Sequence, residues 1–365
     1  MPEVLVTSYD LLKRDIGLYE DISFDYEIID EAQFIKNSQA AVSKSVKVIK
    51  STHRFALTGT PIENRLSELW SIFDYLMPGF LYTYDRFRSD FETAITKYKD
   101  EDTTKQLKNM VGPFILRRLK ENVLKDLPDK MEEIRFSRFD SAQRKLYDAQ
   151  VTHMKRMLES EDYKSGKDRI KILAELTKIR QICCDPELMT AGYSGESAKR
   201  ESCLELIQSA IDGGHKILLF SQFTSMLELL EKDLHKLGID YYKITGQTSK
   251  EERIKLVHSF NENEVPLFLI SLKAGGTGLN LVGADVVIHY DPWWNLAAQN
   301  QATDRAHRIG QTKKVSVFKL IVKDTIEQKI IDMQNAKKDL ADAILSGESK
   351  SLMNMSKEQL MELLG

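Results

Sequence analysis

Apolar positions along the chain change period several times, and those changes mark out its organisation. Short strand-like runs open it: Val4–Tyr9, Tyr26–Ile29 and Arg54–Thr58, with helical stretches between them ending near Tyr19 and Lys50. Such alternation predicts a parallel sheet covered by helices, although three strands are few for one. Leu66, Leu69, Trp70, Phe73, Leu76 and Met77 then recur at helical spacing until Pro78-Gly79 stops them. Helical pieces continue to residue 135 around the basic turn Arg117-Arg118-Leu119-Lys120. From 139 to 190 Leu173, Leu176, Ile179 and Cys183 form one apolar stripe, closed by Asp185-Pro186, and Tyr193–Ser197 reads as a linker.

Beyond residue 200 the pattern is regular. Cys203, Leu206, Ile207, Ala210 and Ile211 make a helix face ended by Gly213-Gly214. Strands are predicted at Ile217–Phe220, Tyr241–Ile244, Leu267–Ile270, Val286–Tyr290 and Val315–Ile321, giving a five-strand α/β domain. Between them, Met226, Leu227, Leu230, Leu234 and Leu237 form a helix face, and Ser249-Lys250-Glu251-Glu252 is a capping box. A further helix starts near Thr325, and the last forty residues read as amphipathic helix.

The bulk properties narrow the classes. At 365 residues there is material for two domains plus an insertion. A net charge of −3 creates no overall basic field, so any nucleic-acid contact must come from a local patch. Cys183, Cys184 and Cys203 include an adjacent pair unsuited to metal-ligand spacing, so buried free thiols are expected and zinc is not. No apolar run reaches the roughly 18 residues of a membrane span, so no membrane partner is expected, and the location is expected to be cytoplasmic, on the nucleoid in a bacterium. Nothing in the pattern points to an obligate homo-oligomer.

Four segments carry chemistry. Asp30-Glu31-Ala32-Gln33 follows a strand, where α/β sheets place ligands; Asp30 can hold Mg²⁺ through water and Glu31 can polarise an attacking water. The same pair also suits a helix start, favoured by the dipole. Leu57-Thr58-Gly59-Thr60-Pro61-Ile62-Glu63-Asn64 follows the next strand; its hydroxyls can sense the carboxylates, or it is a plain exit turn. The turn Lys273-Ala274-Gly275-Gly276-Thr277-Gly278-Leu279-Asn280 offers backbone amides and close approach, with Lys273 and Thr277 able to meet a DNA phosphate and Asn280 facing a nucleotide. Arg305 and Arg308, three apart, are expected on one helix face, reaching across a cleft to a phosphate. Alternatively they pair with Asp304 or other surface carboxylates, an interaction of about 0–1 kcal/mol. Trp293-Trp294 suits packing better than base stacking. The chain contains no G-x-x-x-x-G-K-[ST] run; its nearest approach, Gly166-Lys167-Asp168, lacks the upstream glycine and the Ser/Thr.

In order and context these segments resemble the SWI/SNF-type ATPases of helicase superfamily two. Asp30-Glu31 is similar to that family's motif II, Thr58–Asn64 with the Leu69-Trp70 helix to motif III, Ile217–Phe223 to motif IV, Ser271–Leu281 to motif V, and Gln301–Gln311 to motif VI. Ile115-Leu116-Arg117-Arg118, the Arg-Ile-Gly-Gln ending at Gln311 and the Asp-Pro-Trp-Trp-Asn run at 291–295 extend the likeness over nearly the whole chain.

The resemblance implies two RecA-like parallel-sheet lobes with ATP and Mg²⁺ between them, helical protrusions that grip double-stranded DNA, and ATP-driven translocation along the duplex. On it, residues 1–64 are the back half of the first lobe, 65–135 its helical protrusion, 136–199 a second protrusion and linker, 200–330 the second lobe, and 331–365 C-terminal helices. Glu31, Arg305 and Arg308 would be catalytic and Asp30 the metal-side carboxylate. Gly276, Gly278, Asn280, Gln301 and Asp304 would face the nucleotide, and Gln33, Thr58, Gly59 and Thr60 would couple the motifs. Ser221, Gln222, Lys273, Thr277 and Trp294 would meet DNA.

Three departures stand out. Gln33 sits where the family commonly has His, Leu296 follows Asn295 where proline is frequent, and the family's Gln motif, P-loop lysine and motif Ia would precede residue 1. The expectation is a first lobe incomplete at its N-terminus, hydrolysis only when a partner chain or longer gene product supplies the P-loop, and, as the alternative, an inert DNA- or protein-binding remnant.

Overall fold

The computed structural model describes residues 3–58, 66–116, 118, 124, 127–159, 166–190, 192–193, 195–275, 278–343, 361 and 363–364, with the side chains of 166–169, 273, 275 and 335–343 outside the description. The described residues form two compact units, one of Met1–Arg117 with Asn335–Lys350 and one of Arg118–Gln334 with Ser351–Gly365.

The first unit contains a two-stranded parallel sheet, β1 (Ser23–Ile29) and β2 (Lys50–Ala56), with Ser23 opposite Lys50 and Ile29 opposite Ala56. Parallel neighbours require a crossover, supplied by the 3₁₀ turn Ala32–Ile35 and helix Ala41–Val48. One sheet face is closed by Ile29, Ile35, Val46, Ile49, Ile72 and Tyr75. The other presents Tyr26, Ile28, Phe55 and Leu57, each at least half exposed, with Tyr26 stacked on His53 at 5.0 Å. Glu27 and Arg54 face each other across the strands at 3.2 Å, and the guanidinium also donates to the Tyr75 and Ile49 carbonyls, which satisfies it in a half-buried site.

The expected strand at Val4–Tyr9 is not formed. Residues 4–8 are unpaired, with Val4 and Val6 exposed, and Tyr9–Arg14 is a helix. Local chemistry accounts for it: Ser8 Oγ accepts from Leu11 N at 3.3 Å as an N-cap, with Asp10 in the first turn. The expected helix appears as Leu66–Leu76, whose Leu66, Leu69, Trp70 and Phe73 pack on Phe87, Phe91, Ile95 and Leu107 of the helical segments that follow.

The second unit is built on a six-stranded parallel sheet in the order β3-β8-β7-β4-β6-β5: β3 Lys130–Ser137, β4 Ile217–Ser221, β5 Tyr241–Ile244, β6 Leu267–Ser271, β7 Val286–His289 and β8 Val315–Val322. Its central strands β4, β6 and β7 are buried at every position, which is why they read as unbroken apolar runs. The sheet thus has one strand more than the five expected, and β3 lies where helix was expected. Its sequence, Lys-Met-Glu-Glu-Ile-Arg-Phe-Ser, is that of an edge strand, with charges on exposed positions instead of an apolar run. Cross-strand pairs hold it: Lys319 Nζ lies 2.7 Å from Glu132, and the Arg135 guanidinium sits over Phe318 at 5.0 Å. Helices Ser141–Glu159 and Gly166–Cys184 pack on each other through Met154, Leu158, Leu176 and Ile179.

The three cysteines are free and buried, as expected, and burial pushes the Cys203 thiol up to about 12. Among the described residues no helix is long and apolar enough to cross a membrane. Lys199 and Glu327 form a charge pair in the interior: Lys199 Nζ donates to both Glu327 carboxylate oxygens at 2.7 and 2.8 Å, and Glu327 also accepts from Val322 N at 2.9 Å. It ties helix Ala198–Asp212 to the start of helix Ile326–Ala343.

Removing one partner strands the other in apolar surroundings. Lys199→Ala is expected to lower the stability of the second unit by about 3–5 kcal/mol in urea unfolding, and Lys199→Met with Glu327→Leu to recover most of that loss. A single-variant loss below about 1 kcal/mol would show that the pair is dispensable.

Candidate functional site

In the first unit the carboxylate pair leaves the C-terminal end of β1. Asp30 is exposed; its Oδ1 accepts from Glu31 N at 2.8 Å, and its carbonyl accepts from the Tyr9 hydroxyl at 2.7 Å. Glu31 sits in the left-handed region at φ 51, a conformation uncommon for a residue with a Cβ and costing on the order of 1 kcal/mol. That kink stops β1 and turns the Glu31 side chain back toward the β2 exit. There Thr58 Oγ1 donates to Gln33 Oε1 at 2.8 Å, and Gln33 Nε2 donates to Glu31 Oε2. Backbone bonds fix the spacing: Leu57 N to Ile29 O at 2.8 Å and Ala32 N to Leu57 O at 2.9 Å. Burial, with the Asp30, Glu31 and Glu27 charges, pushes the Tyr9 phenol up to about 12, so it stays a neutral donor to Asp30. Of the expected coupling residues, Thr58 and Gln33 are brought together with Glu31; Gly59 and Thr60 lie outside the described residues.

The donor set at Asp30 is hard oxygen, with Oδ1 engaged in-chain. That fits Mg²⁺ held by one carboxylate together with phosphate oxygens and waters better than an all-protein cage. Among the described residues no group of three or more His, Cys, Asp or Glu could enclose a metal.

In the second unit the glycine turn follows β6. Gly276 and Thr277 lie outside the described residues, as does the Lys273 side chain. Gly278 has φ 33, and exposed Asn280 uses its carbonyl to accept from Asn261 Nδ2 at 2.9 Å. Asn261 Oδ1 also accepts from Gly283 N at 3.0 Å, and a Cβ at Gly283 would lie 3.1 Å from the Asn261 Cα, a tight contact that the glycine avoids.

The arginines are not on one helix face. Helix Leu296–Thr303 ends before them, capped at its start by Asn295 Oδ1 accepting from Ala298 N. Residues 304–310 are consecutive turns, with Arg308 N bonded to Ala306 O at 3.2 Å. Arg305 is buried and Arg308 exposed, so the two point to different environments. Gln301 and Asp304 are half-buried around the end of that helix. His289 Nε2 lies 2.8 Å from Thr303 Oγ1, joining β7 to the same helix end.

Three residues expected at DNA make contacts within the protein, one of them buried and two half-buried. Ser221 is fully buried and donates to Asp291 Oδ1 at 2.6 Å. Gln222 spends both amide ends, accepting from Arg180 Nη1 at 2.9 Å and donating to Pro292 O at 2.9 Å. Trp294 packs on the core of helices Ser141–Glu159 and Gly166–Cys184. The Arg180 guanidinium organises them: it donates to Pro292 O at 2.8 Å, lies 3.4 Å from Asp291, and is flanked by the Phe223 and Trp294 rings. Ser221 is fully buried, so the direct DNA contact expected there is corrected to a positioning role, while half-buried Gln222 has its carbonyl and one amide hydrogen engaged within the protein. Arg180 escaped notice because its helix was read for the apolar stripe alone; the Asp291-Pro292 step beside the tryptophans was the available signal.

A family profile described as the SNF2-related domain matches residues 2–188, and the helicase conserved C-terminal domain matches 198–310. An uncharacterized ATP-dependent helicase of Mycoplasma pneumoniae is 39% identical over 362 residues, covering 99% of this chain and 34% of the relative. A putative ATP-dependent helicase/translocase of Bacillus subtilis, YwqA, is 40% identical over 374 residues, covering 99% and 40%. The solved Sulfolobus solfataricus SWI2/SNF2 ATPase core in complex with dsDNA is 38% identical with a TM-score of 0.55, covering 98% of this chain and 75% of that one. The chain thus spans about a third to two-fifths of the length of these curated relatives.

His289 supplies a pH test of the second unit. Burial pushes its imidazole down from 6.5 to about 3; Lys319 and Lys130 add to this and Glu132 opposes it. With a depressed folded value, the neutral ring contributes stability fully above pH 6.5, and that contribution is lost as pH falls toward about 3, because only the unfolded chain takes the proton. Urea midpoints between about pH 7.5 and about pH 4.5 are expected to fall less steeply in His289→Gln than in the parent. Equal slopes would show that His289 does not set the acid limb.

Proposed function

The chain belongs to the SNF2-related ATPase family, and on that premise we propose that it supplies the hydrolytic carboxylates and the arginine turn of an ATP-driven translocase on double-stranded DNA, working in the cytoplasm. The observation that carries this reading is the bonded series Thr58–Gln33–Glu31 beside Asp30. A general base needs a fixed direction as well as a charge, and Gln33 fixes that of Glu31 while tying it to the β2 exit. Glutamine serves where the family commonly carries histidine, because its amide donates to the carboxylate and accepts from the hydroxyl at once.

In this reading Glu31 orients and deprotonates the attacking water, and Asp30 would hold the nucleotide's Mg²⁺ through water. When bound, that ion would neutralise charge on the transferred phosphoryl group. Arg308, exposed and always charged, is the finger that reaches the phosphate in the nucleotide-bound state. Arg305, held in the interior, shapes the turn that presents it. Gly276, Gly278, Asn280, Gln301 and Asp304 border the nucleotide, and Lys273 and Thr277 take the DNA backbone. The β,γ-phosphate cradle is supplied by a polypeptide, joined or separate, that carries the G-x-x-x-x-G-K-[ST] run these 365 residues do not contain.

The test is DNA-stimulated ATP hydrolysis with and without such a polypeptide. The 365-residue chain alone is expected to give background rates, and the combination to turn over in the presence of duplex DNA. Glu31→Gln should lower kcat by about 10² or more, and Arg308→Ala by about 10³, with duplex affinity unchanged. Turnover by the isolated chain, or full activity of either variant, would overturn these assignments. Salt-dependent duplex binding with no turnover in any combination would favour the inert binding module.

A further inference from the structure

Gln311 closes the Arg-Ile-Gly-Gln run, is 7% exposed, and uses every polar atom of its side chain. Its Nε2 lies within hydrogen-bond distance of Val282 O at 3.1 Å, Ala284 O at 2.7 Å and Ala306 O at 3.2 Å, which share its two hydrogens. Its Oε1 accepts from Thr312 N and Lys313 N, both at 2.9 Å. The three carbonyls belong to two segments: Val282 and Ala284 end the glycine turn that leaves β6, and Ala306 follows Arg305. Leu281 N donates to Arg305 O at 3.0 Å, a second tie between the same segments. Asn261 holds the turn from its other side through Asn280 O and Gly283 N. Gly310, at φ 102, lets the chain reverse so that Gln311 enters the interior, a conformation a residue with a Cβ rarely adopts.

We infer that Gln311 is a positioning residue that welds the glycine turn 278–284 to the arginine turn 304–311, so that the two shift as one body when DNA is bound. The physical basis is the donor count. Two amide hydrogens serve three carbonyls drawn from two segments, and water cannot replace a donor at a site this buried, so separating the segments leaves acceptors unsatisfied. The role of the glycine turn in holding DNA rests on the reading under Proposed function; the weld itself rests on the bonds above.

Hydrogen exchange on the full 365-residue chain, with and without a blunt DNA duplex, tests it. In the parent chain the duplex is expected to slow exchange in both 278–284 and 304–311. In Gln311→Ala duplex affinity is expected to stay within about twofold, with slowing confined to 278–284. Gln311→Glu keeps the acceptor for Thr312 and Lys313 but loses the donors, and is expected to behave as the alanine variant does. It also serves if that variant does not fold. Slowing of 304–311 at the parent level in either folded variant overturns the inference, because a general loss of stability would weaken both segments alike. Without DNA, the Leu281 and Gln311 amides are expected to exchange about tenfold faster in both variants. Unchanged rates also overturn it. If the duplex slows neither segment of the parent chain, the DNA reading fails and the DNA-free comparison alone decides the weld.

Discussion

Parallel strands can be hydrogen-bonded neighbours only if the chain returns from the end of one to the start of the next, and that constraint places nearly every residue considered above. Crossovers occupy the sheet faces and leave the carboxyl ends of the strands free for irregular, chemistry-bearing loops. Asp30 and Glu31 leave β1 and Thr58 leaves β2; because Ile29 lies opposite Ala56, two segments more than twenty residues apart in sequence meet within hydrogen-bond distance. In the second unit the same rule puts Ser221–Gln222, the glycine turn and Asp291–Trp294 at the carboxyl ends of β4, β6 and β7, whose registers Ser221↔Ser271 and Phe220↔His289 align them.

Polar groups divide by burial into two kinds of work. Asp30 and Arg308 are exposed and free of the desolvation that would silence a charge before a ligand arrives. Arg180, Lys199, Asp291, Glu327 and Gln311 are buried, and their bonds hold backbone segments at fixed distances. A buried charge of this kind adds little net stability compared with an apolar replacement, but its fixed geometry ties together segments that apolar packing alone would leave free to slide.

Most of the architecture was legible where burial writes itself into composition. β4, β6 and β7 are unbroken apolar runs because both faces are covered, and helix Leu66–Leu76 shows its period through Leu66, Leu69, Trp70 and Phe73, which share one core. β3 was missed because an edge strand needs charges, and Val4–Val6 misled because β-branched residues resemble a strand whether or not a neighbour pairs with them. The Ser249 cap, accepting from Glu252 N at 3.2 Å, was readable because capping is local.

The sequence by itself determined the family, the order of the motifs and the identity of the chemical groups, since these depend on residue types at short spacings. Tertiary structure alone decided which of those groups are available. Ser221 stands in a motif associated with DNA, yet it is fully buried and its hydroxyl donates to Asp291, from a distant part of the chain. Arg305 and Arg308, three residues apart, differ in exposure because the helix before them stops at Thr303 and the chain turns. Whether a hydroxyl, amide or guanidinium meets a ligand depends on who else can reach it, and long-range contacts settle that where sequence spacing cannot.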